Sequence, residues 1–288
     1  MHLIIIGHSG FIGSELSKFY KRKKNLKKIT LVSSDKVNLT SKKSIKYLQG
    51  IYSKNTVVIF CAGIKRQLGD NIDIFNKNLL IITNFAKSLN SNIKKIIFFS
   101  SAAVYGEDTY RSLRINENTS VDPTSYYGLS KYNSEIILKK ITENLKIKLV
   151  CMRPPLVYGF QDKSMGYGPT QFISLSLQNK TIVLWGDGSE KREFLYIKDL
   201  IYITSIIQNS NYEGVLNIVS GKSNDFIDII NVLKKNYNPK LRVINKERSK
   251  PKVDVKFSNI KLKKLIKGYK FTSLSSGIVN FIEEYEKK

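Results

Sequence analysis

Short apolar runs alternate with amphipathic stretches through the first half of the chain. The nearly continuous apolarity of these runs is typical of strands in a parallel sheet that is covered on both faces. The amphipathic stretches between them predict helices near residues 11–24, 41–50, 71–90 and 126–144. The predicted strands are LIII (3–6), ITLV (29–32), TVVIF (56–60), KIIFFS (95–100) and IKLVCM (147–152).

The regular alternation of apolar runs and amphipathic stretches ends after residue 153. Six glycines and prolines fall between residues 154 and 169, which predicts a loop-rich region of the kind that often faces a ligand. A later apolar run, VLNIVS (215–220), is expected to return to the main sheet. The remaining chain predicts helices near 225–237 and 273–286, with a short extended piece near 241–245.

Length, apolar runs and cysteines narrow the class of protein. A chain of 288 residues can bury a large core without disulfides or metals, and we predict no metal site. The longest apolar runs fall far short of the ~20 residues of a membrane span, so no signal peptide or anchor is expected. The two cysteines, Cys61 and Cys151, lie in apolar segments and predict buried thiols in a reducing compartment, the cytoplasm.

The chain is strongly basic, with a formal charge of +25 from 40 lysines and 8 arginines. Nucleic-acid readers tend to cluster these residues on one face of a recognisable module. Here the charge is spread along the chain, so we interpret it as a solvated surface, with steering of an anionic small substrate as the alternative. Neither nucleic acid nor membrane is expected as a partner.

Three glycines follow the first predicted strand and open the first predicted helix. In HLIIIGHSGFIGSEL, Gly7 suits a tight turn, Gly10 allows close approach of a pyrophosphate, and Gly13 allows close helix packing. The N–H groups at the start of this helix can bind phosphate. The turn therefore predicts dinucleotide binding by the three glycines together with Phe11 and Ile12.

The end of the second strand bears on the choice of dinucleotide. An acidic residue at that position would bind the ribose hydroxyls of NAD. The strand ITLV instead runs into Ser33 and Ser34, with Lys36 nearby, and these side chains could accept a 2′-phosphate. Asp35 comes two residues late, so the sequence favours NADP(H) over NAD(H); a shift of one residue in the strand end would reverse this preference.

The segment SYYGLSK (125–131) places two tyrosines ahead of a lysine at the start of a predicted helix. Residues four apart share a helix face, so Tyr127 pairs with Lys131. An ammonium group nearby favours the phenolate and would lower the pKa of Tyr127, which could then exchange a proton with an alcohol oxygen. The spacing is common by chance, but Ser100 and Ser101 end a strand at the sheet edge where ligands bind.

Five motifs, in order, resemble those of the extended short-chain dehydrogenase/reductase family of sugar-nucleotide epimerases, dehydratases and reductases. The resemblance covers residues 1 to about 220, and it implies a doubly wound parallel Rossmann sheet with a smaller C-terminal α/β substrate-binding region. The implied domains are an NAD(P)-binding domain over 1–158 plus about 194–220, and a substrate-binding region over about 159–193 plus 221–288. The motifs are GHSGFIG, SSAAVYG, YGLSK, RPPLVYG and REFLYIKDL.

The resemblance also implies roles for single residues. Tyr127 matches the catalytic tyrosine, Lys131 matches the lysine that orients the nicotinamide ribose, and Ser101 matches the serine that holds the reacting oxygen. Arg192 resembles an arginine that often holds the substrate's diphosphate, to which a guanidinium fork is suited. Further cofactor contacts are implied for the loop residues Cys61, Ala62 and Gly63 and for Asn78.

Differences from the family's branches narrow the chemistry. The 4,6-dehydratases carry an Asp-Glu pair where this chain has Ala102 and Ala103, so dehydration is not expected. The segments DKVNLTSKKSI and VLWGDGSEKREFLYIKDL most resemble the GDP-fucose synthase branch. The epimerising cysteine and histidine of that branch correspond to Ala103 and Gln171, which cannot exchange a carbon-bound proton. Ser101, Ala102, Ala103, Gln171 and Arg192 are the implied substrate contacts.

The sequence therefore predicts an NAD(P)-dependent nucleotide-sugar oxidoreductase. The favoured reaction is C4 reduction of a nucleotide-linked 4-keto sugar, in which Tyr127 donates a proton to O4 while hydride passes from the nicotinamide to C4. It would supply an activated sugar for surface polysaccharide. A 4-epimerase that retains NAD is the alternative, and a non-catalytic nucleotide- or RNA-binding relative is the rival from another class. The family commonly forms homodimers.

Overall fold

A computed structural model describes residues 1–23, 26–106, 113–249 and 251–287. The predicted end of the first helix, at residue 24, lies outside these residues. The strands are β1 His2–Ile6, β2 Lys28–Val32, β3 Thr56–Phe60, β4 Ile93–Phe99, β5 Lys148–Arg153, β6 Leu156–Tyr158, β7 Ile182–Trp185, β8 Lys191–Arg192, β9 Phe194–Tyr196, β10 Gly214–Asn217, β11 Asn224–Asp225 and β12 Val243–Lys246. The α-helices are α1 Phe11–Lys21, α2 Lys43–Ile51, α3 Ile72–Ser88, α4 Tyr126–Leu145, α5 Pro169–Leu177, α6 Ile197–Asn209, α7 Phe226–Asn236, α8 Ile260–Leu265 and α9 Leu274–Glu286.

The described chain divides into two compact units. The first comprises residues 1–106, 120–154 and 201–218, and the second comprises residues 113–119, 155–200 and 219–287. Among the described helices, none combines the length and the apolarity that a membrane span requires.

A six-stranded parallel sheet forms the centre of the first unit, in the order β10-β5-β4-β3-β1-β2. The strand order reverses between β1 and β3, because β2 lies on one side of β1 and the remaining strands lie on the other. Ligands of doubly wound sheets bind outside the carboxyl ends of the strands at this switch point. A ligand site is therefore expected at the loops that follow β1 and β3.

The central strands β1, β3, β4 and β5 are largely buried because they are apolar on both faces. On one face, Ile4 and Val58 belong to a core cluster with Leu48, Phe85 and Leu138 from α2, α3 and α4. Burial of such side chains contributes about 1.5–3 kcal/mol each. Across the rest of this unit, α1 and α6 are joined by the Tyr20 hydroxyl, which donates to Gln208 at 3.3 Å.

Three of the described helices were missed by the sequence pattern, namely α5, α6 and α8. The α6 segment IKDLIYITSIIQN is rich in isoleucine and other residues of low helix propensity, so its periodicity alone did not predict a helix. Complete burial of Ile203 and Ile207 outweighs that low propensity. The run predicted to return to the sheet does so as β10, which pairs with β5.

The second unit combines short strand pairs with packed helices. β6 pairs with β9 and β7 pairs with β12, both in parallel, whereas β8 pairs with β11 in the antiparallel direction. The helices α5, α7 and α9 contact one another. Tyr167, Phe172, Phe194 and Phe226 form an aromatic cluster, with ring centroids 4.8 to 6.3 Å apart, that joins α5 and α7 to β9.

Candidate active site

The glycine turn between β1 and α1 has no room for side chains at two of its positions. A Cβ on Gly7, which has a φ of +86°, would lie 2.7 Å from the Ala62 nitrogen. A Cβ on Gly13 would lie only 2.1 Å from the Gly7 oxygen. Gly10 is the N-cap of α1, and among the described residues no side chain caps this helix and no acid occupies its first turn. These features fit a pyrophosphate at the helix N-terminus.

Residues of the loop after β3 and of two helices meet at a pocket. Ala62, Gly63, Asn78 and Lys131 all line it. Asn78 accepts a hydrogen bond from Ile64 N at 2.8 Å and donates to Ile64 O at 3.1 Å, so its amide holds the loop in place. The structure thus brings together four residues that the sequence assigned to the cofactor.

Helix α4 presents Tyr127, Lys131 and Glu135 at intervals of four residues, on one face. The Lys131 ammonium donates to Phe99 O at 2.7 Å and lies 5.7 Å from the centroid of the Tyr127 ring. Burial lowers the pKa of Lys131 to about 8. Burial likewise raises the pKa of the nearby Cys61 thiol, so this cysteine stays protonated.

The Ser101 hydroxyl acts on the Tyr127 hydroxyl as a hydrogen-bonding group that lowers the pKa of Tyr127. Ser101 Oγ accepts from Ala103 N at 3.1 Å, which leaves its proton to donate to Tyr127. Burial raises the pKa of Tyr127 to about 12, and the bond to Ser101 opposes this rise. The net direction is upward, contrary to the sequence argument, because burial of the hydroxyl outweighs the interaction with Ser101. Tyr127 is therefore protonated at neutral pH and able to donate.

The two serines at the end of β4 have different partners. Ser100 is buried and donates to Glu135, whereas Ser101 meets Tyr127. Glu135 in turn accepts from Arg153 Nε at 2.9 Å and from Arg153 Nη2 at 2.5 Å. Sequence reasoning missed Glu135, although it repeats the four-residue spacing of Tyr127 and Lys131.

Gly128 allows the start of α4 to approach the short 3₁₀ helix that follows Ser101, Ala102–Tyr105. A Cβ on Gly128 would lie 2.6 Å from the carbonyl oxygen of Ala103. This close contact sets the distance between the helix that carries Tyr127 and the turn that carries Ser101. A glycine inside a helical pattern is a usable signal for such an approach, but the sequence analysis did not use it.

The end of β2 lies beside the glycine turn, since Gly7 N donates to Val32 O at 2.8 Å. Ser33 is buried and its hydroxyl lies 3.5 Å from a carboxylate oxygen of Asp35. Ser34 and Asp35 are both exposed. The first two side chains after β2 thus carry hydroxyl groups, and the carboxylate of Asp35 follows them.

The other predicted substrate residues lie in the second unit. Gln171 is half-buried on α5, and Arg192 lies on β8. The Arg192 guanidinium forms an ion pair with Glu190 and donates to the carbonyl oxygen of Val253. Arg248 forms an ion pair with the same carboxylate. A single acidic side chain therefore bridges two guanidinium groups.

Comparison with known proteins decides the family. The model of the "NAD dependent epimerase/dehydratase family" matches residues 3–245, which include the glycine turn, Ser101, Tyr127 and Lys131. The chain belongs to this epimerase/dehydratase family. The predictions of the family, of its fold and of an enzyme are confirmed. Within the family, the preference for NADP(H) and the reductase branch stay predictions.

Relatives within the epimerase/dehydratase family include proteins named as epimerases. A provisionally named UDP-glucose 4-epimerase of Methanocaldococcus jannaschii is 34% identical over 146 residues, 50% of this chain and 47% of that relative. This chain thus matches about half the length of that relative. The UDP-glucose epimerase YtcB of Bacillus subtilis, described as uncharacterized, is 25% identical over 96% of this chain and 88% of its own length.

Solved structures share the fold over the whole chain. The UDP-glucuronic acid 4-epimerase from Bacillus cereus, in complex with UDP-glucuronic acid and NAD, has a TM-score of 0.84 at 21% identity and covers 100% of this chain and 99% of its own. The UDP-glucose 4-epimerase from Thermus thermophilus, in complex with NAD, has a TM-score of 0.85 at 19% identity, with 99% of each chain covered. These likenesses confirm the doubly wound α/β fold.

Proposed function

We propose that this protein oxidises and reduces C4 of a nucleotide-linked hexose with a nicotinamide dinucleotide. The observation that carries the proposal is the placement of Tyr127 and Lys131 on one face of α4, with the Lys131 ammonium 5.7 Å from the centroid of the Tyr127 ring and the Ser101 hydroxyl interacting with Tyr127. A hydroxyl pair next to an ammonium group can bind a sugar oxygen and exchange its proton. The first unit would hold the cofactor and the second unit the remainder of the substrate.

Different residues of the chain would have different roles in this reaction. The glycine turn would hold the pyrophosphate, and Lys131 with the Ala62–Gly63 loop would hold the nicotinamide ribose. The dinucleotide supplies hydride exchange at the sugar carbon when bound. Tyr127, whose pKa is raised to about 12, would donate a proton to O4 in reduction and take one back in oxidation. Ser101 would orient O4 and carry part of its developing charge.

The composition of the turn after Ser101 supports this simple redox step. Ala102 and Ala103 carry neither an acid nor a base, so loss of water from the sugar has no proton donor at these positions. Gln171 on α5 also lacks a titratable group. These residue types favour proton exchange at one oxygen over dehydration or 3,5-epimerisation.

Two reactions use this chemistry. A 4-epimerase applies it twice with retained NAD, and the epimerase names of the relatives, with NAD in the solved neighbours, favour it. A 4-keto-sugar reductase applies it once with NADPH, and the hydroxyls of Ser33 and Ser34 at the end of β2 favour that reaction. We favour the epimerase, because the similarity to proteins named as epimerases extends over both units of the chain. Ser33 and Ser34, by contrast, bear on a single contact with the cofactor.

Two further expectations belong to the proposal. The substrate's diphosphate would bind Arg192 in the second unit. The enzyme would act as a homodimer in the synthesis of a surface polysaccharide, as the family resemblance implies.

The deciding experiment is identification of the cofactor that purifies with the protein, followed by incubation with UDP-glucose and UDP-galactose. For the epimerase, mass spectrometry should find NAD, and the two sugars should interconvert without added cofactor. For the reductase, the protein should purify without NAD and consume NADPH with a nucleotide-linked 4-keto sugar. Absence of turnover with a panel of nucleotide sugars, together with salt-sensitive RNA binding, would support the non-catalytic rival.

A further inference from the structure

Two arginines of the second unit are held by one carboxylate. Arg192 lies on β8, and Arg248 follows β12, which pairs with β7 so that Lys246 faces Trp185. Both form ion pairs with Glu190, which precedes β8 by one residue. The three side chains are 16 to 20% exposed, so ligands in solution can reach them.

Each arginine is positioned by contacts that do not involve Glu190. Arg192 Nη1 donates to Lys191 O at 3.0 Å and also to Val253 O. Arg248 lies across Gly186, where a Cβ would meet its Nε at 2.5 Å. The guanidinium groups would therefore stay close together if the carboxylate were neutralised.

Their combined charge does not match a diphosphate while Glu190 is paired with them. Two guanidinium groups and one carboxylate leave a net charge of +1, against about −2 on the diphosphate of a nucleotide sugar. Arginine forks bind carboxylate and phosphate oxygens through the same N–H groups. Glu190 and a diphosphate therefore compete for the same donors, and they repel each other when both are present.

We infer that Glu190 is an internal competitor for the substrate's diphosphate and sets the affinity of this enzyme for nucleotide sugars. The inference rests on the proposed function, in which Arg192 binds that diphosphate. Binding displaces the carboxylate from the guanidinium groups toward solvent. A phosphate monoester has fewer oxygens to replace both ion pairs, so Glu190 also discriminates against nucleoside monophosphates.

The test is calorimetric titration of the full chain with nucleoside diphosphates (UDP, GDP, ADP and dTDP) and with the corresponding monophosphates. Glu190→Gln keeps the shape of the side chain but removes its charge. It should lower the Kd of the preferred diphosphate roughly 10-fold, the size expected for releasing a charge-assisted hydrogen bond. The gain should be smaller for the monophosphate.

Glu247→Gln is the matched control, because it makes the same change of charge at an exposed glutamate next to Arg248. It should leave the Kd of the diphosphate unchanged. An equal decrease of the Kd in both variants would show that net charge alone causes the effect, and it would overturn the inference. Arg248→Gln should weaken diphosphate binding. Glu190→Ala, compared by thermal unfolding, provides a second variant if Glu190→Gln folds poorly.

The outcomes separate the two proposals. If wild type binds a diphosphate but the Kd is unchanged or raised in the folded Glu190 variants, Glu190 is only an orienting partner and the inference alone fails. If neither wild type nor Glu190→Gln binds any of the four diphosphates, the premise of a nucleotide-diphosphate substrate fails with it.

Discussion

The carboxylate of Glu135 accepts two hydrogen bonds from the guanidinium of Arg153, from Nε at 2.9 Å and from Nη2 at 2.5 Å. Both side chains are about 95% buried. Arg153 Nη1 also donates to the hydroxyl of Tyr105 at 2.8 Å, and Glu135 accepts from Ser100. One ion pair thus anchors both ends of the turn that carries Ser101.

Removal of Arg153 should strongly destabilise the first unit. Arg153→Met leaves the Glu135 carboxylate buried without its cation, which costs about 3–5 kcal/mol. Lys139→Met is the control, because it removes an exposed ion pair with Glu143, 3.9 Å long, worth less than about 1 kcal/mol. Urea unfolding followed by circular dichroism measures both; equal losses would contradict the role given to Arg153.

The two adjacent tyrosines should differ in catalysis. Tyr127→Phe removes the hydroxyl that bonds to Ser101, so turnover should fall at least about 100-fold while cofactor affinity is kept. Tyr126 is exposed and packs against Phe75, with ring centroids 6.1 Å apart, so Tyr126→Phe should leave turnover unchanged. Steady-state rates and cofactor titration test this pair. An active Tyr127→Phe enzyme would remove Tyr127 from the mechanism.

A methyl group at Gly128 should displace the turn that carries Ser101. Gly128→Ala creates a contact of 2.6 Å with the carbonyl oxygen of Ala103, and overpacking of this kind costs about 1–3 kcal/mol. Turnover should fall as well, because Ser101 moves away from Tyr127. Gly50→Ala in α2 is the control: outside the neighbouring helix backbone no described atom lies within 4 Å of the added Cβ, and the helix should gain up to about 1 kcal/mol. Thermal unfolding of both variants should move in opposite directions.

Stability should depend on pH through Lys131. Burial lowers the pKa of Lys131 to about 8 in the folded chain, below its usual 10.5. Between these two values the unfolded chain binds more protons, so the free energy of unfolding rises with pH in this window. Between pH 8 and pH 10.5, the free energy of unfolding of wild type should rise by up to about 3 kcal/mol relative to that of Lys131→Met.

Below pH 8 the difference between wild type and Lys131→Met should be constant, because Lys131 is charged in both states. Denaturant unfolding at intervals of pH measures it. The free energy of unfolding of Lys139→Met, a change at an exposed lysine, should vary with pH as that of wild type does. A difference between wild type and Lys131→Met that does not change with pH would contradict the lowered pKa of Lys131.

Local sequence predicted most of the sheet and the glycine turn. Each of these features depends on neighbours along the chain: apolar runs for β1 to β5, and Gly13, where a Cβ would collide with the preceding turn. The pairing of Tyr127 with Lys131 was predictable for the same reason, since helical spacing alone puts them on one face. The helix α6 was missed, because burial of Ile203 and Ile207 in the folded unit outweighs a propensity that favours other structures.

By itself, the sequence determined the fold class and the family, since these follow from periodicity and from ordered motifs, and the same motifs predict the residues of the proposed chemistry. Only the tertiary structure decided how those residues are paired. Ser101 rather than Ser100 meets Tyr127, Lys131 turns to Phe99 O, and Glu190 holds both Arg192 and Arg248. Such partners are distant in sequence, and the distances and burial that set their pKa values and charge balance arise only when the strands and helices pack.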